Sequence, residues 1–114
     1  MTRFRFETAP LAGKGVVMRL HGSIDLHSSH DFRLVLGSEL NDENELILVD
    51  MSGVEFIDSS AIATLAEGLS WSRTEHRRFV IAGMSGMLLD IFSIAKLDTV
   101  FEIVDDAEVF LANL

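Results

Sequence analysis

An apolar segment that runs directly into a helical pattern constrains the fold of this chain more than any other stretch. In residues 54–69, VEFIDSSAIATLAEGL, the apolar segment ends at Asp58 and helix-forming residues follow at once. One apolar helix face with i, i+3, i+4, i+7 spacing is formed by Ile62, Leu65, Ala66 and Leu69. Asp and Ser are common at helix starts because their side-chain oxygens accept bonds from unpaired backbone N–H groups. The stretch therefore predicts a strand-to-helix junction.

The hydroxyl groups at this junction have two interpretations. Ser59 and Ser60 lie where the free N–H groups of the first turn and the positive end of the helix dipole point outward. A phosphate group is stabilised in such a place. A plain helix cap without any chemistry accounts for the same residues, and on the local pattern it is the commoner case. The local pattern leaves both interpretations open.

The first part of the chain predicts a β-hairpin. Residues 2–7 alternate apolar and polar side chains, as a half-buried strand does. Residues 10–15 predict the turn, and residues 16–20 predict a second strand antiparallel to the first. The segment 22–25, Gly-Ser-Ile-Asp, is expected to end this second strand.

Strand and helix patterns alternate in the rest of the chain. Apolar runs that predict buried strands lie at residues 46–49 and 79–82, and further short strands are predicted at 54–57 and 100–104. Predicted helices begin near Ser28 or Ser29, after Asp58, at Ser85, and at a capping box formed by Asp105 and Glu108. Strands that alternate with three-turn helices imply parallel pairing through right-handed crossovers. We therefore expect one α/β domain over residues 1–114, with a mixed, mostly parallel sheet of four to five strands and about four helices.

Composition limits the class of protein. The chain has 114 residues, 48% of them hydrophobic, which is enough for a buried core. It contains no Cys, which excludes disulfides, thiolate metal sites and a Cys nucleophile. The net charge of −9 argues against nucleic-acid binding and favours a basic protein partner, and no apolar run reaches the roughly 20 residues of a membrane span. We expect a cytoplasmic, monomeric protein without a cofactor and without membrane insertion.

Catalytic and metal-binding motifs are weak. His27 and His30, with Asp25 and Asp31 nearby, do not have the spacing of a known metal site, and a solvated turn accounts for them better. The loop 83–86, Gly-Met-Ser-Gly, lacks the lysine of a phosphate-binding loop. Helix capping or a solvated turn accounts for the clustered carboxylates, so no general acid–base pair is indicated. The sequence predicts a binding protein with no metal site, and not an enzyme.

Helical spacing places a second set of residues opposite the apolar face of the helix that follows Asp58. This set comprises Ser60, Thr64, Glu67 and Trp71. An exposed tryptophan is typical of interface hot spots. We therefore predict that these four residues form a docking stripe, defined by this set, beside Ser59. The alternative is a helix that ends near Gly68, which would let Trp71 fold back over the rim of the core.

The chain resembles a STAS domain, the domain of bacterial anti-sigma factor antagonists, along nearly its whole length. The resemblance is carried by Gly22-Ser23-Ile24-Asp25, by Asp58-Ser59-Ser60 after the buried strand, and by Ala82-Gly83-Met84-Ser85 followed by Leu89-Asp90-Ile91-Phe92. It implies that Ser59 is phosphorylated by a cognate serine kinase that doubles as the anti-sigma factor, and that a PP2C-type phosphatase resets this partner switch. It also implies that Asp25 and Asp58 lie beside the phosphoacceptor at the docking surface.

The charge of a phosphate agrees with such a switch. A phosphate on Ser59 adds about −1.5 to −2 charge. Beside Asp25 and Asp58, on a chain of net charge −9, it is expected to repel an interface fitted to a neutral serine. Phosphorylation is therefore expected to release the partner.

One departure from the family pattern affects the function. Many antagonists continue with Gly-Leu-Gly, whereas this chain has Ala61-Ile62-Ala63. Ala favours the helix by roughly 1 kcal/mol per position relative to Gly, and it adds methyl groups where a partner would approach. A second function therefore stays open, that of a non-phosphorylated scaffold or subunit of a stressosome or a lipid-transport ABC complex.

Overall fold

The computed structural model describes residues 3–41 and 43–114. Met1, Thr2 and Asp42, which the expected domain includes, lie outside the described residues. Five strands and four helices occur in the described part, in the order β1 (Arg5–Leu11), β2 (Gly15–Ile24), α1 (Ser29–Asn41), β3 (Leu46–Ile57), α2 (Ser59–Thr74), β4 (Arg78–Ala82), α3 (Gly86–Ile94), β5 (Glu102–Val104) and α4 (Ala107–Ala112).

The strands form one mixed sheet in which each strand lies beside its neighbours in sequence, in the order β1-β2-β3-β4-β5. β1 pairs with β2 antiparallel, and the other three pairs are parallel. The predicted hairpin and the mostly parallel α/β fold are both confirmed. None of the described helices has the length and apolarity needed to cross a membrane.

Two hydrophobic cores lie on opposite faces of the sheet. Right-handed crossovers that all progress in one direction place their helices on the same face of the sheet. The larger core accordingly contains residues of α1, α2 and α3, among them Phe32, Leu65 and Phe92, packed on β2, β3 and β4. Ala107 of α4 packs on the other face against Val17, Leu48 and Val80.

β2 and β3 are longer than predicted, and this difference shapes one corner of the sheet. Gly22 and Ser23 do not end β2; the strand passes through a register shift between them and continues to Ile24. Gly22 has φ +84°, which its missing side chain permits. The predicted strands at 46–49 and 54–57 are one strand, β3. Gly53 lies inside it and lets the ring of His21 approach the backbone, since a Cβ at Gly53 would be 2.3 Å from His21 Nδ1.

The buried face of α2 differs from the predicted one. Leu65 and Leu69 are buried as expected, but Ala66 is exposed and Ile62 is only partly buried. The buried residues of α2 are Ala61, Thr64, Leu65, Gly68, Leu69 and Ser72. The predicted exposure of Thr64 is therefore wrong.

Small side chains explain why the buried face of α2 differs from the predicted one. Thr64 and Ser72 satisfy their buried hydroxyls within the helix, by donating to the carbonyl oxygens of Ser60 (3.0 Å) and Gly68 (2.8 Å). Gly68 allows α1 to pack closely, since a Cβ there would lie 2.6 Å from Leu36 Cδ2. The buried face of α2 is therefore determined by close packing at small residues as well as by its apolar side chains.

The predicted caps are partly correct. Ser85 Oγ accepts a bond from the N–H of Leu88 (3.3 Å) and caps α3 as predicted. The capping box at Asp105 and Glu108 is wrong. Asp106 caps α4 by accepting from the N–H of Val109 (2.9 Å), and Glu108 instead pairs with Arg19 of β2 (2.8 Å).

Candidate functional site

The extended ends of β2 and β3 meet at one corner of the sheet. Ile24 is in register with Ile57, and the N–H of Asp58 donates to the carbonyl oxygen of Ile24 (3.2 Å). Asp25 and Asp58 therefore follow directly after two neighbouring parallel strands. The carboxyl ends of such strands are where open α/β sheets usually bind their ligands.

The carboxylate of Asp58 joins two segments at this corner. Its Oδ1 accepts from the N–H of Ser60 (2.9 Å), from the Ser60 hydroxyl (2.5 Å) and, at a longer distance, from the N–H of Ala61 (3.4 Å). Its Oδ2 accepts from the N–H of Leu26 in the loop between β2 and α1 (3.0 Å). Asp58 is thus both the N-cap of α2 and the residue that fastens the neighbouring loop to it.

These hydrogen bonds keep Asp58 ionised. The bond from the Ser60 hydroxyl, foremost, and those from the backbone N–H groups of Ser60, Ala61 and Leu26 lower the pKa of the Asp58 carboxyl below its usual 3.8. Desolvation opposes this shift without cancelling it. At neutral pH a fixed negative charge therefore lies at the start of α2.

Ser59 is the first residue of α2 and is exposed. Within residues 3–41 and 43–114, its hydroxyl has no hydrogen-bond partner. The N–H groups of Ser60 and Ala61, expected to be free for a phosphate, are already bonded to Asp58. The arrangement presents an accessible neutral hydroxyl beside a fixed anion, and that anion occupies the N–H groups of Ser60 and Ala61.

The loop that carries Asp25 is held by its own hydrogen bonds. Asp25 Oδ1 accepts from the N–H of His27 (2.9 Å), and Ser28 Oγ accepts from the N–H of Asp25 (3.0 Å). The Ser28 hydroxyl also donates to the carbonyl oxygen of Ser23 (3.0 Å), so it orders the loop and is not seen to cap α1. This network leaves Leu26, at the tip of the loop, 77% exposed.

Glu67 and Trp71 of the docking stripe are in contact with α1, so these two side chains lie beside the groove between α1 and α2. Thr64 is 5% exposed. Glu67 pairs with Arg33 of α1 (2.6 Å), and the ring of Trp71 lies over Gly37 of α1 while remaining 39% exposed. Because α2 continues to Thr74, the alternative of a helix ending near Gly68 is wrong.

The two alanines that depart from the family pattern have different surroundings. Ala61 is fully buried, so its methyl group packs in the core and does not face a partner. Ala63 is exposed. The extra methyl group therefore alters the accessible surface of α2 at one position and not at two.

No metal centre forms at this corner or elsewhere in the described part of the chain, where no three His, Asp or Glu side chains come together. His27 and His30 belong to the exposed start of α1 and its loop. Asp25 and Asp58 lie after the ends of two neighbouring strands, with Ser59 directly after Asp58, and the sequence does not predict the exposure of Leu26 in the adjoining loop. A lone leucine between polar residues carries no signal of exposure, because loop leucines commonly pack back onto the core.

Comparison with known proteins places this fold in a family. A family model described as "Mlab, STAS domain" matches residues 8–105. An anti-sigma factor antagonist from Mycobacterium paratuberculosis has 18% identity and a TM-score of 0.87, with 97% of this chain and 93% of that chain covered. A putative antagonist from Thermotoga maritima has 19% identity and a TM-score of 0.84, with 96% and 92% covered. The Bacillus cell fate determinant SpoIIAA in its phosphorylated form has 17% identity and a TM-score of 0.74, with 96% and 100% covered. On the family-model match, which spans most of its length, the chain belongs to the STAS domain family.

Proposed function

We propose that this protein is a regulatory binding protein like the anti-sigma factor antagonists, switched by reversible phosphorylation of Ser59. A cognate serine kinase that is also the anti-sigma factor would bind the unphosphorylated form, and a PP2C-type phosphatase would restore it. The observation that supports this proposal is the exposed Ser59 hydroxyl, unbonded within the described residues, at the start of α2 directly after Asp58. The solved phosphorylated form of the similar protein SpoIIAA supports the same chemistry.

Electrostatics give the direction of the switch. A phosphate on Ser59 would lie beside the ionised Asp58 and close to the loop of Asp25. Two of the N–H groups that could compensate its charge, those of Ser60 and Ala61, are already bonded to Asp58. Phosphorylation therefore adds repulsion within a surface fitted to a neutral serine, and the bound partner is released.

The proposed docking surface has a near part and a far part. Asp25, Asp58 and Ser60 form the near part around Ser59. Glu67 and Trp71 form the far part in the groove between α1 and α2, with Trp71 about 18 Å along the helix from Ser59 at 1.5 Å per residue. Thr64 is not part of the surface, because it is buried. The protein acts by binding, as a cytoplasmic monomer without catalysis of its own.

Phosphosite mapping by mass spectrometry on protein from its native cells is the first test. A fractional phosphate on Ser59 that changes with growth conditions is the expected result. Binding of the purified kinase is then measured for Ser59→Asp and Ser59→Ala, with Ser70→Asp, at an exposed serine of the same helix, as the charge-matched control. We expect Ser59→Asp to weaken binding by more than about tenfold and the other two variants to bind like the unmodified protein. Equal binding by all three, with no phosphate found, would refute the switch.

A second function has its own support. The matching family model is described as "Mlab, STAS domain", and the residues after Asp-Ser-Ser are Ala61-Ile62-Ala63. In this alternative the domain is a constitutive scaffold or a subunit of a stressosome or lipid-transport ABC complex, and Ser59 has no switching role. It predicts a stable complex whose affinity does not change when Ser59→Asp is introduced.

A further inference from the structure

We propose that Leu26 is the apolar anchor of the docking surface, and that the partner receives it in an apolar pocket bordered by Lys and Arg side chains. This inference rests on the proposed binding function and names the chemistry of the partner at the same site. The anchor is distinct from the phosphoacceptor, so the two are separable by experiment.

Leu26 is exposed on a loop that is held in place. Its side chain is 77% exposed, while its N–H donates to Asp58 Oδ2 (3.0 Å). The bonds of Asp25 and Ser28 fix the loop on both sides of it. Single exposed leucines are common on protein surfaces. A leucine on an ordered loop differs from most, because little conformational entropy is lost when a partner covers it.

A second apolar side chain lies at the same corner. Phe56, near the end of β3, is in register with Ser23 of β2 and is 38% exposed. Ser23 is three residues before Leu26, and Phe56 is three residues before Ser59. The end of β3 thus carries a second accessible apolar side chain besides Leu26.

Charge identifies the kind of partner. Residues 24–31 and 54–63, the two segments that form this corner, contain four acidic residues and no Lys or Arg; the four are Asp25, Asp31, Glu55 and Asp58. Arg3 lies across the small hollow that Asp25 and Asp31 line, but it forms no ion pair in the described part of the chain. An apolar tip with an acidic border is complementary to an apolar pocket with a basic border.

Anchor and switch share one group. The Asp58 carboxylate caps α2 beside Ser59 with one oxygen and holds the N–H of Leu26 with the other. A phosphate on Ser59 repels that carboxylate and disturbs the bond by which its second oxygen holds the N–H of Leu26. The position of the anchor and the charge at the switch therefore act together on the same partner.

Site-specific photocrosslinking in the native cells tests the anchor. Leu26→benzoylphenylalanine is compared with Leu34→benzoylphenylalanine, since Leu34 lies on α1 and is 59% exposed. The protein crosslinked at position 26 is identified and purified, and its affinity is measured by calorimetry for Leu26→Ala and Leu34→Ala. We expect an adduct specific to position 26, a loss of affinity of about tenfold or more for Leu26→Ala, and no change for Leu34→Ala. Neither exposed-site variant should alter Tm.

Each other result has a defined meaning. The absence of an adduct at position 26, or an adduct partner that binds Leu26→Ala as tightly as the unmodified protein, overturns the anchor. A partner with no basic surface, shown by affinity that does not fall with added salt or on Asp25→Asn with Glu55→Gln, overturns the proposed pocket border. An intact anchor with no effect of Ser59→Asp retains the proposal made here and refutes the phosphorylation switch.

Discussion

Replacement of Asp58 by alanine removes the hydrogen bonds that join the start of α2 to the loop after β2. The variant Asp58→Ala loses the N-cap of α2, which costs about 1 kcal/mol. It also loses the bond from the N–H of Leu26, which contributes another 0.5–1.5 kcal/mol, roughly. We therefore expect a decrease of about 2 kcal/mol in the free energy of unfolding at pH 7, or about 8 °C in Tm.

The pH dependence of the free energy of unfolding distinguishes the contribution of the Asp58 charge from that of its side-chain shape. Because the folded pKa of Asp58 is depressed below its usual 3.8, the ionised carboxylate stabilises the fold fully above that value. This contribution is lost as the pH falls through the folded pKa. The difference in the free energy of unfolding between the unmodified protein and Asp58→Ala should therefore decrease below about pH 4. Between roughly pH 5 and 8 this difference should be constant.

Urea unfolding followed by circular dichroism at a series of pH values is the assay. Asp58→Asn is the matched variant, because asparagine caps helices nearly as well as aspartate but carries no charge. Ser85→Ala, which removes the neutral cap of α3, should cost about 1 kcal/mol with no dependence on pH in this range. A penalty below about 0.5 kcal/mol for Asp58→Ala, or one that is the same at pH 7 and at about pH 2.5, would refute the reasoning.

Four further substitutions test the helix packing, a surface ion pair and the far part of the proposed docking surface. Gly68→Ala should lower the free energy of unfolding by about 1 kcal/mol, because the new methyl group overlaps a buried leucine of α1 and this outweighs the better helix propensity of alanine. Gly37→Ala, where the methyl group has room, should raise the free energy of unfolding by about 0.5–1 kcal/mol. Urea unfolding measures both changes. Glu102→Gln should lower the free energy of unfolding by less than about 1 kcal/mol at pH 7 and should have no effect in acid. The bond from Arg78 lowers the pKa of the Glu102 carboxyl, and the stabilisation by the ionised carboxylate is lost as the pH falls through that lowered pKa. Trp71→Ala should weaken kinase binding by about tenfold in calorimetry, and unchanged affinity would remove Trp71 from the docking surface.

The spacing of hydrophobic residues predicts the strands and helices correctly where the buried side chains are large and apolar. The runs at residues 46–49 and 79–82 are buried strands, and Leu88 and Phe92 are the buried residues of α3. The strand-to-helix junction at Asp58 also lies where the sequence predicted it. At these places the hydrophobic pattern and the geometry depend on the same residues.

The sequence does not predict the buried faces and strand ends correctly where small or polar residues are buried. In α2, Thr64 and Ser72 occupy the buried face because their hydroxyls bond to carbonyl groups one turn earlier. Gly22 and Gly53 resemble turn residues in the sequence, but both lie inside strands, one at a bulge and one beneath the ring of His21. Such positions are decided by close contacts between elements, which residue spacing does not encode.

The sequential order of the strands has a consequence for how the protein opens. β3 is the central strand and is flanked by β2 and β4. Local opening of the sheet therefore begins at its edge strands, β1 and β5. The pairing of Ile24 with Ile57, which holds Asp25 and Asp58 together, involves neither edge strand. Amide hydrogens of β2 and β3 should accordingly exchange more slowly than those of β5, and the corner formed by Asp25 and Asp58 should stay assembled in partly opened forms of the protein. Contacts between neighbouring segments also close short loops, so this sheet can form by stepwise addition of strands along the chain.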